Sequence, residues 1–221
     1  TSCVPIYEGF VLNHAINKVE MGGEDLSKYF TALLNARKDN DAKQLNYDSA
    51  QKASINQLKE KCCEVADDFD SQVKKCQDNK ETTTYELPDK TKINIGGEKY
   101  MCPEILFVPA NINKEFHGIH ELTFKSISKC DDDISKDLYN NVILCGGSSL
   151  FKNIKLRFSK ELSSLAPTGK HVNVIAPPER KYSTWLGGAI IAGLDNFKNA
   201  MFVRNSQYKE SGEAEIYKRF I

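Results

Sequence analysis

The sequence lacks several features that would have declared a function outright. It has no apolar run approaching the roughly 20 residues of a membrane-spanning helix, so no span is read in it. Its first residues carry no signal-peptide pattern. It has no excess of charge: 30 basic and 30 acidic residues cancel, which removes long-range attraction to nucleic acid or to an anionic membrane as an organising force. Neither GxGxxG nor GxxxxGK[ST] occurs, so neither familiar phosphate-loop signature is available. No CxxC spacing occurs among its seven cysteines, an odd number with several members in apolar patterns. Reduced thiols in a cytosolic or nuclear protein are therefore expected, rather than a disulfide frame or a zinc site. Internal repeats and low-complexity segments are also missing.

What is present is an ordinary globular composition. The 221 residues, 40% hydrophobic and 27% charged, suffice for one large domain or two small ones with a sizeable buried core. The chain opens on Thr1-Ser2-Cys3-Val4-Pro5 without an initiator methionine and reads as though it begins inside a sheet; a piece of a longer protein is expected.

The stretch with the most promise for a site is Asn141 to Phe151. Val142 to Leu144 is a short apolar run, followed by Gly146-Gly147 and then by Ile154, Phe158, Leu162 and Leu165 at helical spacing. Strand, glycine turn and helix in that order place a ligand beyond the carboxyl end of the strand. The glycines allow backbone to come close to a bound group, and the helix N–H groups face the same place. By itself the pattern is more often that of an ordinary turn.

Elsewhere, Val4 to Leu12 reads as a strand with Pro5 near its edge, and Gly22-Gly23 as a turn. Asp25 is expected to N-cap a helix carrying Leu26, Tyr29, Phe30, Leu33 and Leu34 on one face. Arg37 to Asn46 reads as a surface loop. A single long helix is expected from about Asp48 to about Gln77, burying Ile55, Leu58, Cys62, Val65, Phe69 and Val73. Its opposite face, with Lys59, Glu60, Lys61 and Glu64, reads as solvated. Thr82 to Leu87 and Lys92 to Ile95 flank Pro88-Asp89 as a hairpin. Cys102-Pro103-Glu104 is expected to start a short helix. Phe107 to His117 is a loop, and Gly118 to Ser128 and Asp133 to Tyr139 are helical. Val172 to Ala176 is a strand, and Ser183 to Leu194, rich in glycine and alanine, is expected to be a tightly packed helix.

Two further clusters have a chemical and a plainer reading. Asp131-Asp132-Asp133 can be a metal cluster, but carboxylates at a helix N-terminus are the simpler account. His117 and His120 have no third metal ligand nearby in sequence, so a loop histidine and a helix-start histidine are expected. No Ser–His–Asp or Cys–His–Asx set can be assembled from spacing.

Longer segments carry a resemblance. Lys129 to Gly147 and Ala176 to Gly188 resemble actin, as do Val4 to Gly9, Tyr85 to Asp89, Cys102 to Glu104, Gly118 to Glu121 and Tyr208 to Gly212. They run in family order over essentially the whole chain and resemble the C-terminal part of an actin. The resemblance implies an α/β fold, the C-terminal part of the actin-like ATPase (RNase H-like) architecture, with a mixed sheet flanked by helices and a largely helical outer subdomain. Within it, 1–22 corresponds to the start of the inner, subdomain 3-like region, 23–115 to the outer, subdomain 4-like region and return, 116–182 to the inner region again, and 183–221 to C-terminal helices that pack on a small lobe.

The same resemblance implies ATP or ADP, with Mg or Ca, bound in a cleft of the full-length parent, this chain supplying the adenosine side. Gly23, Lys59 and Glu60 lie by base and ribose in that picture. Gly146 and Gly147 permit close approach, Phe151 packs on the adenine, and Lys181 closes from the far side. The phosphate loops and the catalytic residues of the family lie outside the matched segments, so ATP hydrolysis is expected of a parent and not of this chain alone. Implied partners are other actin subunits and actin-binding proteins, the latter at a groove partly lined by Ile191 and Leu194. Neither nucleic acid nor membrane is expected as a partner. The implied location is cytoplasmic and cytoskeletal, with the nucleus open to an actin-related protein.

The chain also departs from the family pattern. Asn56 stands where an arginine is usual, Arg37 to Asn46 is longer, Met201-Phe202 replaces a tryptophan, and Ala110 to Phe116 replaces a more apolar plug. Less apolar burial there, at roughly 25 cal/mol per Å², leaves a second reading beside the filament-forming one: a non-polymerising actin-related subunit of a larger complex. A stand-alone small-molecule kinase of the same superfamily is the weakest reading, since the matched segments are those of actin.

Overall fold

The computed structural model describes residues 1–37, 45–47, 51–78, 82–88, 90–200 and 202–219. Expectations resting on Asp48, Asp89 and Met201, and on most of the Arg37 to Asn46 loop, lie outside the described residues.

The N-terminal segment folds back on itself. Strand β1 (Ser2–Cys3) pairs antiparallel with β4 (Asn17–Lys18), and between them β2 (Ile6–Tyr7) and β3 (Phe10–Val11) form a hairpin. The single strand expected over Val4 to Leu12 is thus interrupted. Glu8 and Gly9 both adopt positive φ, 50° and 83°, the paired geometry of a two-residue hairpin turn. The Glu-Gly pair was the sequence signal for this turn.

Helix α1 (Gly23–Ala36) buries Leu26, Phe30 and Leu34, each worth about 1.5–3 kcal/mol on full burial. Its N-cap is Gly22, not Asp25. Asp25 sits one turn in, where its carboxylate accepts the Gly22 N–H at 2.8 Å and complements the helix dipole.

The expected long helix is two. Helix α2 (Lys52–Cys62) ends where Cys63 turns extended, and α3 (Phe69–Asp78) begins after a short link. Partners far away in sequence take the backbone groups that a continuous helix would use: Glu64 N–H donates to the Lys99 carbonyl at 3.1 Å and Val65 N–H to the Lys152 carbonyl at 3.0 Å. The apolar positions still face inward, with Ile55, Leu58 and Val65 buried on either side of the break.

Strands β5 (Thr83–Glu86) and β6 (Lys92–Ile95) form the expected antiparallel hairpin. Helix α4 (Glu98–Glu104) follows, so Cys102-Pro103-Glu104 closes a helix instead of opening one. Glu98 begins it, accepting the Gly96 N–H at 2.7 Å and two bonds from Arg37 at 3.0 and 3.1 Å, which tie the end of α1 to α4. A 3₁₀ turn at Pro109–Ile112 leads to α5 (Ile119–Ile127) and α6 (Asp132–Asn140). Asp131 is the α6 N-cap residue, with Asp132 and Asp133 in the first turn.

Strand β7 (Val142–Ile143) lies parallel to β8 (Val174–Ile175), with α7 (Ile154–Leu165) as the crossover between them. The chain therefore mixes helices and strands as expected. Among the described residues, however, the strands pair two by two and do not join into one mixed sheet. The core that unites them runs from α1 through Ile93, Ile105 and Phe107 to Phe158 and Leu162.

At its centre is Arg157. Its guanidinium, buried under α4, bonds Glu104 at 2.9 Å, Glu161 at 2.5 Å and the Ala66 carbonyl at 2.8 Å, and stacks 4.9 Å from the Phe107 ring centre. Burial pushes Arg157 toward neutrality, but the hydrogen bonds it donates to Glu104 and Glu161, with the charges of those carboxylates, outweigh it and hold the group above its ordinary pKa. In Glu104 burial wins over the pull of Arg157, and the carboxyl lies above its ordinary value. A cavity of about 420 Å³ opens beside this pair, lined also by Asp67, Asp68 and Asp70.

The last part is α8 (Ser183–Gly193), α9 (Asp195–Ala200), α10 (Asn205–Ser211) and α11 (Glu213–Arg219). Helix α8 forms as expected but is not tightly packed: none of its residues is buried, and a Cβ added at Gly187, Gly188 or Gly193 meets nothing within 4 Å. Its composition is apolar on all sides and shows no helical periodicity, so it forms a helix without the burial its composition suggested.

Two outcomes follow from these contacts. Arg157→Met strands a buried carboxylate and is expected to cost about 3–5 kcal/mol in urea unfolding, whereas Glu104→Gln, which leaves Arg157 its Glu161 and Ala66 partners, costs less. Glu64 is pushed up by burial, but the Lys152 hydrogen bond and the Lys152 and Lys99 charges bring its pKa net below the ordinary value. Its contribution is therefore present above the unfolded carboxyl pKa and is lost as pH falls through the lower folded one. Glu64→Gln should flatten that acid limb of the stability–pH curve while leaving a constant loss at neutral pH.

Candidate functional site

Three elements meet at one place. The turn after β7, the first residue of α1 and one lysine of α2 are drawn together although they lie far apart in sequence.

The turn is built on Gly146. Parallel pairing carries the chain out of β7, with Leu144 N–H donating to the Ile175 carbonyl at 2.9 Å. Gly146 then takes φ 92°, a region costly for any residue with a Cβ. Its N–H donates to the Arg180 carbonyl at 2.8 Å, and its own carbonyl accepts the buried Ser149 hydroxyl at 2.7 Å. Arg180 closes the frame: its Nε donates to the Ser149 carbonyl at 3.0 Å and a terminal nitrogen to the Pro177 carbonyl at 2.9 Å. The turn is thus locked to the loop after β8. Gly147 follows, exposed, and a Cβ there meets nothing within 4 Å.

Lys59 comes from α2 and is only 6% exposed. Its ammonium donates to the Gly23 carbonyl at 2.7 Å and to Ser27 Oγ at 2.8 Å, leaving one N–H without a partner among the described residues. The Ser27 hydroxyl donates to Asn56 Oδ1 at 2.6 Å, and the Tyr47 hydroxyl donates to the same oxygen at 3.4 Å. The solvated face expected from the charge pattern is therefore half wrong: Glu60 and Lys61 are exposed, but Lys59 is folded against α1. Burial lowers the Lys59 pKa from the ordinary lysine value, the nearby Cys102, Glu60 and Cys63 opposing it. A Cβ built on Gly23 lies 3.5 Å from Ser148 Oγ and 3.7 Å from Lys59 Nζ, which brings the glycine turn and the lysine into one cluster around Gly23.

The remaining sequence-derived residues stand apart from this cluster. Phe151 is buried in the core with α7, so little of its ring is open to a ligand. Glu60 is exposed beside Lys59 and acts on it by charge. Lys181 is exposed, its ammonium 5.4 Å from the Tyr182 ring centre. Ile191 and Leu194 are exposed along and just beyond α8. His117 bonds Glu121 at 3.1 Å and is also joined to Lys125, while His120 packs on Phe107.

Sequence reasoning missed two residues that build the site. Arg180 was passed over for its neighbour Lys181, and Ser148 carries no motif. An arginine two residues beyond a proline pair at a strand end was the available signal for the first; nothing in sequence marks the second.

A comparison with protein families matches the chain to the model described as Actin over residues 1–221.

Two expectations come from the geometry. Gly146→Ala is expected to cost about 1–2 kcal/mol of stability, because its positive φ burdens any Cβ, whereas Gly23→Ala meets only ordinary contacts. Lys59→Met leaves the Gly23 carbonyl and Ser27 short of a donor and should cost about 1–3 kcal/mol; the urea midpoint reads both. Because the folded pKa of Lys59 is lowered, replacing it should also remove a contribution that grows as pH rises through that folded value.

Proposed function

The chain belongs to the actin family, and on that premise we propose that it forms the adenosine side of an ATP-binding cleft in a longer actin-like cytoskeletal protein. The observation that carries this reading is the convergence of Gly23, Lys59 and Ser148, with Gly147 beside them facing open space. A glycine exposed next to a rigidly framed turn admits a ligand that a side chain would exclude. The N–H of Lys59 that has no partner among the described residues offers a charged donor at the same place, suited to a ribose or base acceptor. In this reading ATP or ADP binds with Mg or Ca, and Gly23, Lys59, Gly146 and Gly147 form the near wall. Glu60, Phe151 and Lys181 are assigned to its margins. No residue of this chain is assigned to phosphoryl transfer. The protein works in the cytoplasm as part of the cytoskeleton, contacting other actin subunits, and binding partners use the exposed apolar surface that includes Ile191 and Leu194.

One observation favours a second reading, a non-polymerising subunit of a larger complex, cytoplasmic or nuclear. The segment Ala110 to Phe116 presents Asn111, Asn113, Lys114 and Glu115 to solvent. A polar tip there gives little apolar burial to a neighbouring filament strand.

Isothermal titration of ATP with magnesium into the full-length protein tests the first reading. Gly147→Ala should weaken ATP by about tenfold or more, equivalent to roughly 1.4 kcal/mol, with an unchanged urea midpoint because the added Cβ meets nothing. Unaltered affinity in Gly147→Ala refutes the assigned wall. A full-length protein that binds no ATP refutes the cleft itself and favours the scaffold subunit. Sedimentation with salt and magnesium separates the two assemblies: pelleting supports filaments, and a soluble monomer or stable hetero-complex supports the second reading.

A further inference from the structure

Cys3 and Cys130 are 127 positions apart, yet the fold carries both to one junction, between the β1–β4 ladder and the end of α5. Cys3 pairs with Asn17 in the antiparallel β1–β4 ladder. Residues directly opposite in such a ladder project to the same side. The Asn17 side chain reaches toward the end of α5, accepting from Lys129 Nζ at 2.7 Å and donating to the Leu122 carbonyl at 3.5 Å. Two residues before Asn17, the Ala15 carbonyl accepts the buried Ser126 hydroxyl at 2.7 Å. Strand β1 also lies against α5, so both strands of the ladder meet this helix. Cys130 directly follows Lys129, and its thiol turns inward onto the Ser126 carbonyl at 3.4 Å. Cys3, opposite Asn17, and Cys130, next to Lys129, thus belong to the same junction of the ladder with α5. All seven cysteines are free thiols in this structure, Cys3 partly open to solvent and Cys130 buried.

We propose that Cys3 and Cys130 are a reversible redox pair, which closes into a disulfide joining the N-terminal strand to the end of α5 when a disulfide oxidant such as oxidised glutathione reaches Cys3. The Cys3 thiolate attacks one glutathione sulfur, forming a mixed disulfide and expelling one glutathione thiolate. The Cys130 thiolate then attacks the Cys3 sulfur and expels the second. The two cysteine protons end on two glutathione thiols, and one protein disulfide replaces the glutathione one. Burial raises the Cys130 pKa, with the charges of Asp131 and Cys3 adding to it, in keeping with two thiols within electrostatic reach. A thiol held neutral by burial is a slow second nucleophile, which makes the pair a responder to sustained oxidation.

The test is thiol mapping on the protein that contains this chain. The protein is incubated in a glutathione redox mixture, its free thiols are alkylated, and it is digested without reduction for mass spectrometry. The expected result is a Cys3–Cys130 linked peptide that dithiothreitol removes, together with a higher urea midpoint for the oxidised form. Cys145→Ser should leave that peptide in place, and Cys3→Ser should abolish it. If Cys130 is alkylated at every redox ratio while Cys3 is recovered free or only glutathionylated, the pair does not exist. The wild-type map decides the matter even where a substituted chain folds poorly.

Discussion

A buried arginine holds this fold together. Arg157 is one residue on α7, but its guanidinium reaches α4 through Glu104, the link between α2 and α3 through the Ala66 carbonyl, and the Phe107 ring through stacking. A planar cation with five N–H groups can serve several elements at once, and no aliphatic side chain replaces it. The interruption between α2 and α3 depends on the same neighbourhood. Extended backbone in a protein interior must find partners for its N–H and C=O groups, and here Lys99, Lys152 and Arg157 supply them. The ion pair and the broken helix are two sides of one constraint.

That constraint bears on the candidate site. Because α2 stops at Cys62, Lys59 lies in its last turn, close enough to α1 to fold its chain onto Gly23 and Ser27. Across the cluster, the Gly146 turn is fixed from the opposite side by Arg180. The near wall of the proposed cleft is thus framed by two cations with different tasks. Arg180 spends its hydrogen bonds on backbone carbonyls and sets the turn. Lys59 binds Gly23 and Ser27 and has one N–H without a partner among the described residues. Exposed apolar residues gather on α8, where Trp185 is 73% exposed, so that helix presents to solvent what a core helix would bury.

Much of this was legible from local pattern. The apolar stripe of α1, the β5–β6 hairpin, the strands β7 and β8 with α7 between them and the glycine turn all appear where spacing and turn residues place them; that β7 and β8 pair in parallel is seen only in the structure. The errors share one cause. Val4 to Leu12 was read through the Glu8-Gly9 turn, and the long helix through Cys63, because apolar periodicity continues across both. Pro103 suits the start of a helix in isolation, but a helix already runs from Glu98, whose carboxylate accepts from the Gly96 N–H and from Arg37. Ser183 to Leu194 has a packed composition without a packing partner among the described residues. In each case a contact with a distant residue, or the lack of one, decided the outcome.

The sequence by itself determined the family, through long ordered segments such as Lys129 to Gly147, and most element types, because propensity and hydrophobic period are local properties. It also marked Gly23, Lys59 and Gly147 through family resemblance. Only the tertiary structure decided that Lys59 is buried and bonded to Gly23, that Ser148 and Arg180 belong to the same site, that a helix breaks at Cys63 and that Cys3 faces the Cys130 junction. Burial, hydrogen-bond partners and strand register are relations between residues far apart in the chain, and they exist only once the backbone has closed the distance.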